Sequence, residues 1–467
     1  MKELSALDMQ KALNNGDTTS EALVKDAIAT ITKREPHLNA LADMNHHALT
    51  EARALDLERR EKGPRSPLHG IPLVIKDNIL TTGHMRTTAN ARVFKDFYAP
   101  YDATIVKKLK DAGMIILSKA SLSEFAYYMS TTTMPSGFGS LHGQVIHPYD
   151  KTLDPLGSST GSAVAVAANY VPLSIGSETN GSLMSPAMRQ SIVSIKPTLG
   201  LVSRHGIIPI SSLQDTAGPM SRTVKDSAML LDILKGRDSE DTFTRLIPEE
   251  KTDYLKACDE NVKGLKVGIL TFEGHEEKGE EKEILEEAKT LLEKKGVTFK
   301  TITKKYALPD NTKTLSPEMH RDMNAFLSTI RGATDIKTFS DIVAFNFADS
   351  RRNLKHGQGR FLEALGSDRT LKNPEYLSAR KATDDECDAF KALFKTHDVD
   401  ALITTKITGY PPQSGLPSVI VPANAFTNKT PRSLLFIGPS FTEETLLPLA
   451  HTYETLTNKR VPPRFND

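Results

Sequence analysis

This sequence lacks tryptophan, is poor in cysteine and carries almost no net charge. Its 467 residues include two cysteines, and 59 Lys and Arg against 58 Asp and Glu give a formal charge of +1. Cys258 and Cys387 lie far apart without the short spacing of metal ligands, so neither a disulfide framework nor a zinc site is expected. The balanced charge likewise gives no sign of a nucleic-acid-binding face.

Long apolar runs are missing as well. No stretch approaches the roughly eighteen apolar residues that a membrane span requires, and residues 1–31 lack the apolar centre of a secretory signal. We therefore expect a cytoplasmic protein with no membrane partner. Apolar residues make up 39% of the chain and charged residues 25%, a composition typical of a globular protein with a large core.

Helical patterns alternate with short apolar runs along the chain. Thr19 and Ser20 precede an amphipathic stretch, and a second one ends near Gly63. Residues 70–79, "GIPLVIKDNI", are typical of a buried strand that leaves the core. The order helix, turn, strand recurs at 102–120 and again around a charged but amphipathic helix at Ile284–Leu292. This alternation predicts an α/β fold with a sheet between helices.

Residues 305–395 form the least regular and most polar part of the sequence. They are interpreted either as an insertion that shapes the rim of a pocket or as connecting helices, and the pattern favours the helices. The final segment returns from strand to helix, and no repeat of 20–50 residues is evident.

Residues 156–187, "LGSSTGSAVAVAANYVPLSIGSETNGSLMSPA", contain seven serines around an apolar run. One interpretation is a small-residue turn with a serine cap that enters a helix. Another is a phosphate cradle made of backbone N–H groups, although the lysine of a P-loop is missing. The third is a nucleophilic serine whose developing oxyanion is held by neighbouring N–H groups.

A nucleophilic serine needs a base, and no histidine is prominent. His142, His147 and His205 lack an obvious partner pattern. Lys76 stands at the polar end of an apolar strand, where burial would lower its pKa and leave a neutral amine that can accept a proton. The alternative is an ordinary lysine at a strand edge.

Six segments together resemble the amidase signature family of serine hydrolases. Each segment is weak alone, but their combination spans most of the chain. They are "HGIPLVIKDNI" (69–79), "DATIVKKLKDAGMIILSKASLSEFA" (102–126), "GSSTGSAVAVAA" (157–168), "GSETNGSLMSPA" (176–187), "SIKPTLGLVSRHGIIPISSLQDTAGPMSRTVKDSAMLL" (194–231) and "GLPSVIVPA" (415–423).

The resemblance implies a catalytic triad of two serines and a lysine. Ser182 would be the nucleophile, Ser158 the bridging serine in a cis peptide, and Lys76 the base, used as a neutral amine. The implied reaction is hydrolysis of an amide through an acyl-enzyme on Ser182. Its oxyanion hole would comprise the backbone N–H groups of Thr179, Asn180, Gly181 and Ser182.

The resemblance also suggests roles around the triad. Ser159 would support it through hydrogen bonds, with a structural cap as the alternative, and Asp215 would help to order the site. Tyr127, Tyr128 and Met129 are candidate substrate contacts, with core packing as an equal alternative.

The chain departs from the common family pattern at several positions. Leu156 and Thr160 replace glycines in the first turn, and Asn180 replaces one in the second. Where many relatives carry an arginine after the nucleophile, this chain has Leu183, Met184 and Ser185. Met184 is therefore a further candidate substrate contact in an apolar pocket floor, and the pattern resembles that of peptide amidases.

The implied fold is one α/β/α domain with a large mixed sheet, spanning residues 1–467. We divide it into N-terminal helices (1–65), a catalytic core (66–235), a variable pocket-shaping region (236–400) and a C-terminal return (401–467). The implied protein is an amide hydrolase, monomeric or homodimeric, that needs no metal or organic cofactor and acts on a small-molecule or peptide amide. The alternatives are an amidotransferase A-type subunit that releases ammonia from glutamine for a partner, and a silent binding protein.

Overall fold

The computed structural model describes residues 3–132, 134–249, 252–424 and 430–465. Within these residues thirteen strands form one eleven-stranded sheet and one short hairpin. The strands are β1 Leu41–Met44, β2 Pro72–Lys76, β3 Ile115–Ala120, β4 Phe138–Gly139, β5 Gly143–Gln144, β6 Leu173–Glu178, β7 Val193–Lys196, β8 Thr216–Ser221, β9 Lys266–Phe272, β10 Thr298–Lys304, β11 Ala401–Thr404, β12 Ser418–Pro422 and β13 Ser433–Ile437.

The large sheet is mixed. Its strand order is β1-β3-β2-β6-β8-β7-β12-β13-β11-β9-β10. Strand β2 runs parallel to both β3 and β6, and β9 runs parallel to both β10 and β11, whereas the remaining neighbours are antiparallel. The carboxyl ends of β2, β3 and β6 therefore meet at one edge of the sheet.

Sixteen α-helices surround the sheet in the described part of the chain. They are α1 Ala6–Asn15, α2 Ser20–Leu38, α3 Ala48–Lys62, α4 Thr104–Asp111, α5 Thr160–Ala167, α6 Met184–Arg189, α7 Val224–Leu234, α8 Tyr254–Ala257, α9 Glu280–Glu293, α10 Thr312–Thr329, α11 Phe339–Ala348, α12 Ser350–Asn353, α13 Gly359–Leu365, α14 Pro374–Thr396, α15 Tyr410–Ser414 and α16 Glu443–Thr457.

Strand β2 shows why both faces of the sheet need a helical layer. Leu73 and Ile75 belong to one buried apolar cluster, whereas Val74 belongs to another that includes Val24 of α2 and Ala52 of α3. Successive side chains of a strand point to opposite faces, so both faces of β2 are packed against apolar layers. The predicted α/β class, with a large mixed sheet between helices, is confirmed.

Local sequence signals fix several helix ends. The Thr19 hydroxyl accepts a hydrogen bond from the Ala22 N–H, and α2 begins at Ser20 as predicted. Helix α3 ends at Lys62, directly before Gly63, and α9 covers the predicted amphipathic stretch. No helix among the described residues combines the length and apolarity needed to cross a bilayer.

Two parts of the chain differ in detail from the sequence pattern. Strand β1 interrupts the N-terminal helices and pairs with β3 at the sheet edge. Residues 305–395, which look irregular in sequence, contain the five helices α10–α14. Two of these helices, α10 and α13, also line cavities beside the candidate site, so both interpretations of this segment hold in part. The division of the domain into four segments stays a prediction.

Candidate active site

Parallel pairing of β2 and β6 brings Lys76 next to the Ser-rich segment. Ile75 pairs with Ile175, so Lys76 at the end of β2 lies beside the last residues of β6. All five residues of β2 are buried, and Lys76 has no solvent exposure. The sheet thus carries a lysine into the interior of the domain.

Hydroxyl and carbonyl oxygens surround the Lys76 amine. Its Nζ lies 2.7 Å from Ser158 Oγ, 3.0 Å from Ser159 Oγ, and 2.9 and 3.0 Å from the carbonyl and hydroxyl oxygens of Ser177. A neutral amine has two N–H donors and one lone pair. Because the Ser177 carbonyl and Ser159 Oγ can accept both N–H groups, the lone pair is left free to face the Ser158 hydroxyl.

Burial decides the charge of this amine. Desolvation lowers the pKa of Lys76 to about 7, and the negative charges of Glu178 and Asp215 offset only part of that effect. A large fraction of Lys76 is therefore neutral near pH 7, which is the form that can accept a proton.

The turn before α5 presents Ser158 to Lys76. The peptide bond between Gly157 and Ser158 is cis, as the resemblance implies. A Cβ atom on residue 157 would lie 2.5 Å from Ser123 Oγ and 2.7 Å from Thr160 Oγ1, distances that Cβ atoms do not reach. An alanine at 157 would therefore force the hydroxyls of Ser123 and Thr160 to move.

The two departures from the family pattern in this turn contact each other. Leu156 adopts a φ of 56°, a left-handed conformation that favours glycine. The Thr160 hydroxyl donates a hydrogen bond of 2.9 Å to the Leu156 carbonyl, and the Leu156 N–H donates to Asp154. The side chains of Thr160 and Asp154 therefore hold the turn through hydrogen bonds to the Leu156 backbone.

Ser159 connects the lysine to the segment that carries Ser182. Its N–H donates to the Ser182 carbonyl at 3.2 Å, and its hydroxyl donates to the Ser177 carbonyl at 3.0 Å. The structure thus brings Lys76, Ser158 and the backbone of Ser182 into one hydrogen-bonded group. A hydrogen bond between the Ser158 and Ser182 hydroxyls stays a prediction.

Buried acidic side chains hold the loop between β6 and α6. The Glu178 carboxylate accepts from the N–H groups of Leu183 and Met184, at 2.7 and 3.2 Å. Asp215 accepts from the Thr179 hydroxyl and, at 2.8 and 2.9 Å, from two further backbone N–H groups, those of Ile210 and Ser211. Burial raises the pKa of Asp215 to about 7. Its place is consistent with the ordering role that the resemblance suggests.

The backbone N–H groups of this loop are available to an oxyanion. Those of Asn180, Gly181 and Ser182 donate to no acceptor within the part of the chain that the structure describes. Gly181 has a φ of 80°, which a glycine adopts without strain. Unpaired N–H groups beside a serine are the arrangement that stabilises a tetrahedral oxyanion.

A cavity of about 570 Å³, here called the Ser182 cavity, opens onto the nucleophile candidate. Tyr127 and Tyr128 line it, and their hydroxyls bond to the Met134 carbonyl and to Ser316. Phe125, Ala126 and Tyr127 all have positive φ values. The part of the cavity wall that carries the two tyrosines is therefore built on a left-handed turn. The cavity is also lined by Leu156, Gly157, Thr179, Asn180, Ser182, Ser185, Ile210, Asn311, Thr312, Leu315 and Arg360.

The structure places Met129 and Met184 away from the Ser182 cavity, and their role as substrate contacts stays a prediction. Both are almost fully buried, at 1% and 2% exposure, in two different apolar clusters, and neither lines the Ser182 cavity. Leu183 is buried with Met184, whereas Ser185 reaches the cavity. Leu183 and Met184 therefore do not form the expected apolar floor, and the cavity is lined by polar residues such as Ser185 together with apolar ones such as Ile210 and Leu315.

Several residues of the site escape sequence reasoning. Ser177 contacts Lys76 directly, and the signal for it is its position in the segment that pairs with β2. Asn311 directly precedes α10, Thr312 begins α10, and Arg360 lies in α13. No local sequence pattern marks these three residues as part of a site. The groups that contact the Lys76 amine are serine oxygens and not a histidine, and burial lowers the pKa of both His142 and His147 to about 4.

The profile of the Amidase family matches residues 22–418, which is most of the chain. The chain belongs to the amidase family. It is therefore an amide-hydrolysing enzyme, and the resemblance seen in the sequence is confirmed.

Three relatives show how this amidase compares with known members. The structure of a peptide amidase from Stenotrophomonas maltophilia is 33% identical, with a TM-score of 0.90 over 100% of this chain and 99% of its own. A probable amidase of Arabidopsis thaliana is 32% identical over 100% of this chain and 92% of its own. The A-type subunit of the glutamyl-tRNA(Gln) amidotransferase of Carboxydothermus hydrogenoformans is 32% identical over 97% of both chains.

Proposed function

We propose that this amidase hydrolyses a carboxamide through an acyl-enzyme on Ser182. Neutral Lys76 takes the proton of Ser158 while Ser158 takes that of Ser182, and Ser182 Oγ forms a bond to the amide carbon. The observation that carries this proposal is the buried Lys76 Nζ, 2.7 Å from Ser158 Oγ, with a pKa of about 7.

The remaining steps use the same groups in reverse. The N–H groups of Thr179, Asn180, Gly181 and Ser182 hold the oxyanion while it exists. As the C–N bond breaks, the proton on Lys76 returns through Ser158 to the nitrogen, which leaves as ammonia or an amine. Water then attacks the acyl carbon and gives its proton to the relay, which returns it to Ser182 Oγ as the acyl C–O bond breaks and the carboxylic acid leaves.

We further propose that the substrate is a peptide or other extended molecule that ends in a primary amide. The Ser182 cavity, at about 570 Å³, has room for more than a simple amide. Its polar walls offer hydroxyl and amide groups to a peptide backbone, and Arg360 adds a cation at the rim. The similarity to a peptide amidase supports this class.

The test is ammonia release from a panel of amides by the purified chain. C-terminally amidated peptides are expected to give higher kcat/KM than acetamide or glutamine, and Ser182→Ala is expected to abolish turnover. Equal or higher kcat/KM with acetamide would refute the peptide class, while activity retained in Ser182→Ala would refute the mechanism.

An amidotransferase A-type subunit remains a second candidate, because a relative with that name is about equally similar over the whole chain. Against it stands the Leu183–Met184–Ser185 run after the nucleophile, where such relatives commonly carry an arginine. If glutamine alone among the panel released ammonia, the second candidate would replace the first.

A further inference from the structure

A second cavity lies behind the oxyanion loop. It has a volume of about 260 Å³, and we call it the Asn78 cavity after the residue at its inner end. It shares Ala126, Thr179 and Ile210 with the Ser182 cavity, but Ser182 does not line it. The two cavities are therefore neighbours that share part of their lining.

The inner end of this cavity carries an unpaired acceptor. Asn78 is 2% exposed, and its Nδ2 donates a hydrogen bond of 3.0 Å to Ser177 Oγ. Its Oδ1 has no hydrogen-bond partner among the described residues. A buried amide oxygen without a donor costs free energy, so a ligand that donates a hydrogen bond there would relieve that cost.

Apolar side chains form most of the cavity wall. They come from the 207–210 segment and from α10, and comprise Ile207, Ile208, Pro209, Ile210, Ala325 and Phe326. The volume exceeds the roughly 150 Å³ of an apolar cavity known to bind benzene in an engineered protein. A ring with one substituent fits this space.

The buried charged groups in the wall have partners, whereas the carboxylate of Glu240 is exposed to solvent. Arg204 donates twice to Asp241, at 2.8 and 2.5 Å, and Asp322 pairs with Arg321 at 2.6 Å. Asp215 accepts from three donors. Inside the cavity, the polar atom that lacks a partner is thus the neutral Asn78 Oδ1, which would accept a hydrogen bond from an uncharged donor.

The cavity mouth is crossed by one hydrogen bond. The Tyr101 hydroxyl lies 2.7 Å from Thr329 Oγ1, and the Tyr101 ring stacks on His205 at 5.0 Å between centroids. Ala325 and Thr329 are exposed on α10, so the mouth opens between α10 and Tyr101. Rotation of Tyr101 alone would widen it.

We propose that the Asn78 cavity binds a second small molecule, uncharged, with an apolar ring or branched chain and one O–H or N–H that donates to Asn78 Oδ1. Such a ligand would lie beside Ser177 and Thr179, which contact Lys76 and Asp215. The site is distinct from that of the scissile amide, and it does not rest on the proposed mechanism because its test measures binding.

The probes are 4-fluorobenzyl alcohol and its methyl ether, which differ in one donor, with binding followed by ¹⁹F NMR titration. Wild type is expected to bind the alcohol at least tenfold more tightly than the ether. Ala325→Trp, which fills the mouth, is expected to weaken binding of the alcohol at least tenfold. The control Ser328→Trp, on the same helix but outside the cavity, is expected to bind like wild type.

Asn78→Leu tests the hydrogen bond itself, since it keeps the shape and removes the acceptor. It is expected to bind alcohol and ether equally. Equal affinity of wild type for the two probes, or unchanged affinity in a folded Ala325→Trp, would overturn the proposal. If Asn78→Leu does not fold, the wild-type comparison and Ala325→Trp still decide the matter.

Discussion

The side-chain nitrogen of Lys76 lies 2.7 Å from the hydroxyl oxygen of Ser158, and neither residue is exposed to solvent. Strand β2 delivers the lysine and the cis turn before α5 delivers the serine, so the pair depends on two separate segments of the fold. This contact allows a neutral Lys76 to accept the proton of Ser158, the step that the proposed function assigns to it.

Lys76→Met is expected to lower kcat by roughly a thousandfold or more, because the relay loses its base while the fold keeps its packing. The matched control is Lys196→Met, which removes another fully buried lysine at the end of a strand, bonded to the Pro197 carbonyl. Steady-state kinetics on amidated peptides and circular dichroism would be compared. A folded Lys76→Met with near-normal kcat would contradict the assignment of the base.

The rate is expected to fall as the pH drops through about 7. Protonated Lys76 has no lone pair, so kcat/KM loses about tenfold per pH unit well below its pKa and levels off above it. Glu178 and Asp215 carry the negative charges that raise this pKa. Glu178 makes the larger contribution, and Glu178→Gln, which removes its charge but keeps an oxygen that can accept from the Leu183 N–H, is expected to move the midpoint to lower pH. A rate that is flat from pH 5 to 9 would be incompatible with a lysine base.

Gly157→Ala is expected to reduce activity at least a hundredfold, because the new Cβ would collide with Ser123 and Thr160 and displace Ser158. The control is Gly366→Ala, where a Cβ would meet nothing closer than 3.4 Å and the φ is −75°. That variant is expected to keep wild-type activity. Should Gly157→Ala match it, the geometry of the turn would not be essential to catalysis.

Thr160→Val is expected to destabilise the protein by about 1 kcal/mol, since it removes the hydrogen bond to the Leu156 carbonyl. In a Leu156→Gly background the same change is expected to cost less, because glycine adopts the left-handed conformation without support. Urea denaturation of the four proteins measures the coupling. Strictly additive effects would mean that the two departures are independent.

Much of the fold and of the triad geometry could be predicted because their signals are local or belong to a long combined motif. The caps at Thr19 and Gly63 act on their own helices. Lys76, Ser158 and Ser182 each lie inside a distinctive segment. The parallel pairing of β2 with β6 places Lys76 beside Ser177, and the turn before α5 brings Ser158 to Lys76.

The cavity walls could not be predicted, because they depend on contacts between distant parts of the chain. Arg360 lies far beyond Ser182 in the sequence, and only the packing of α13 places it at the rim. The burial of Met129 and Met184 outside the Ser182 cavity could not be predicted for the same reason. Both methionines lie close to site residues in the sequence. The direction of each side chain is nevertheless set by the apolar cluster in which it packs.

The central claim is that Lys76, acting through Ser158, makes Ser182 a nucleophile. Its most direct test is reaction with a fluorophosphonate, followed by mass spectrometry of the digested protein. We predict one adduct, on Ser182, formed at least a hundredfold more slowly in Lys76→Met. An adduct on Ser158 or Ser185, or labelling of Ser182 at the wild-type rate without Lys76, would contradict the account.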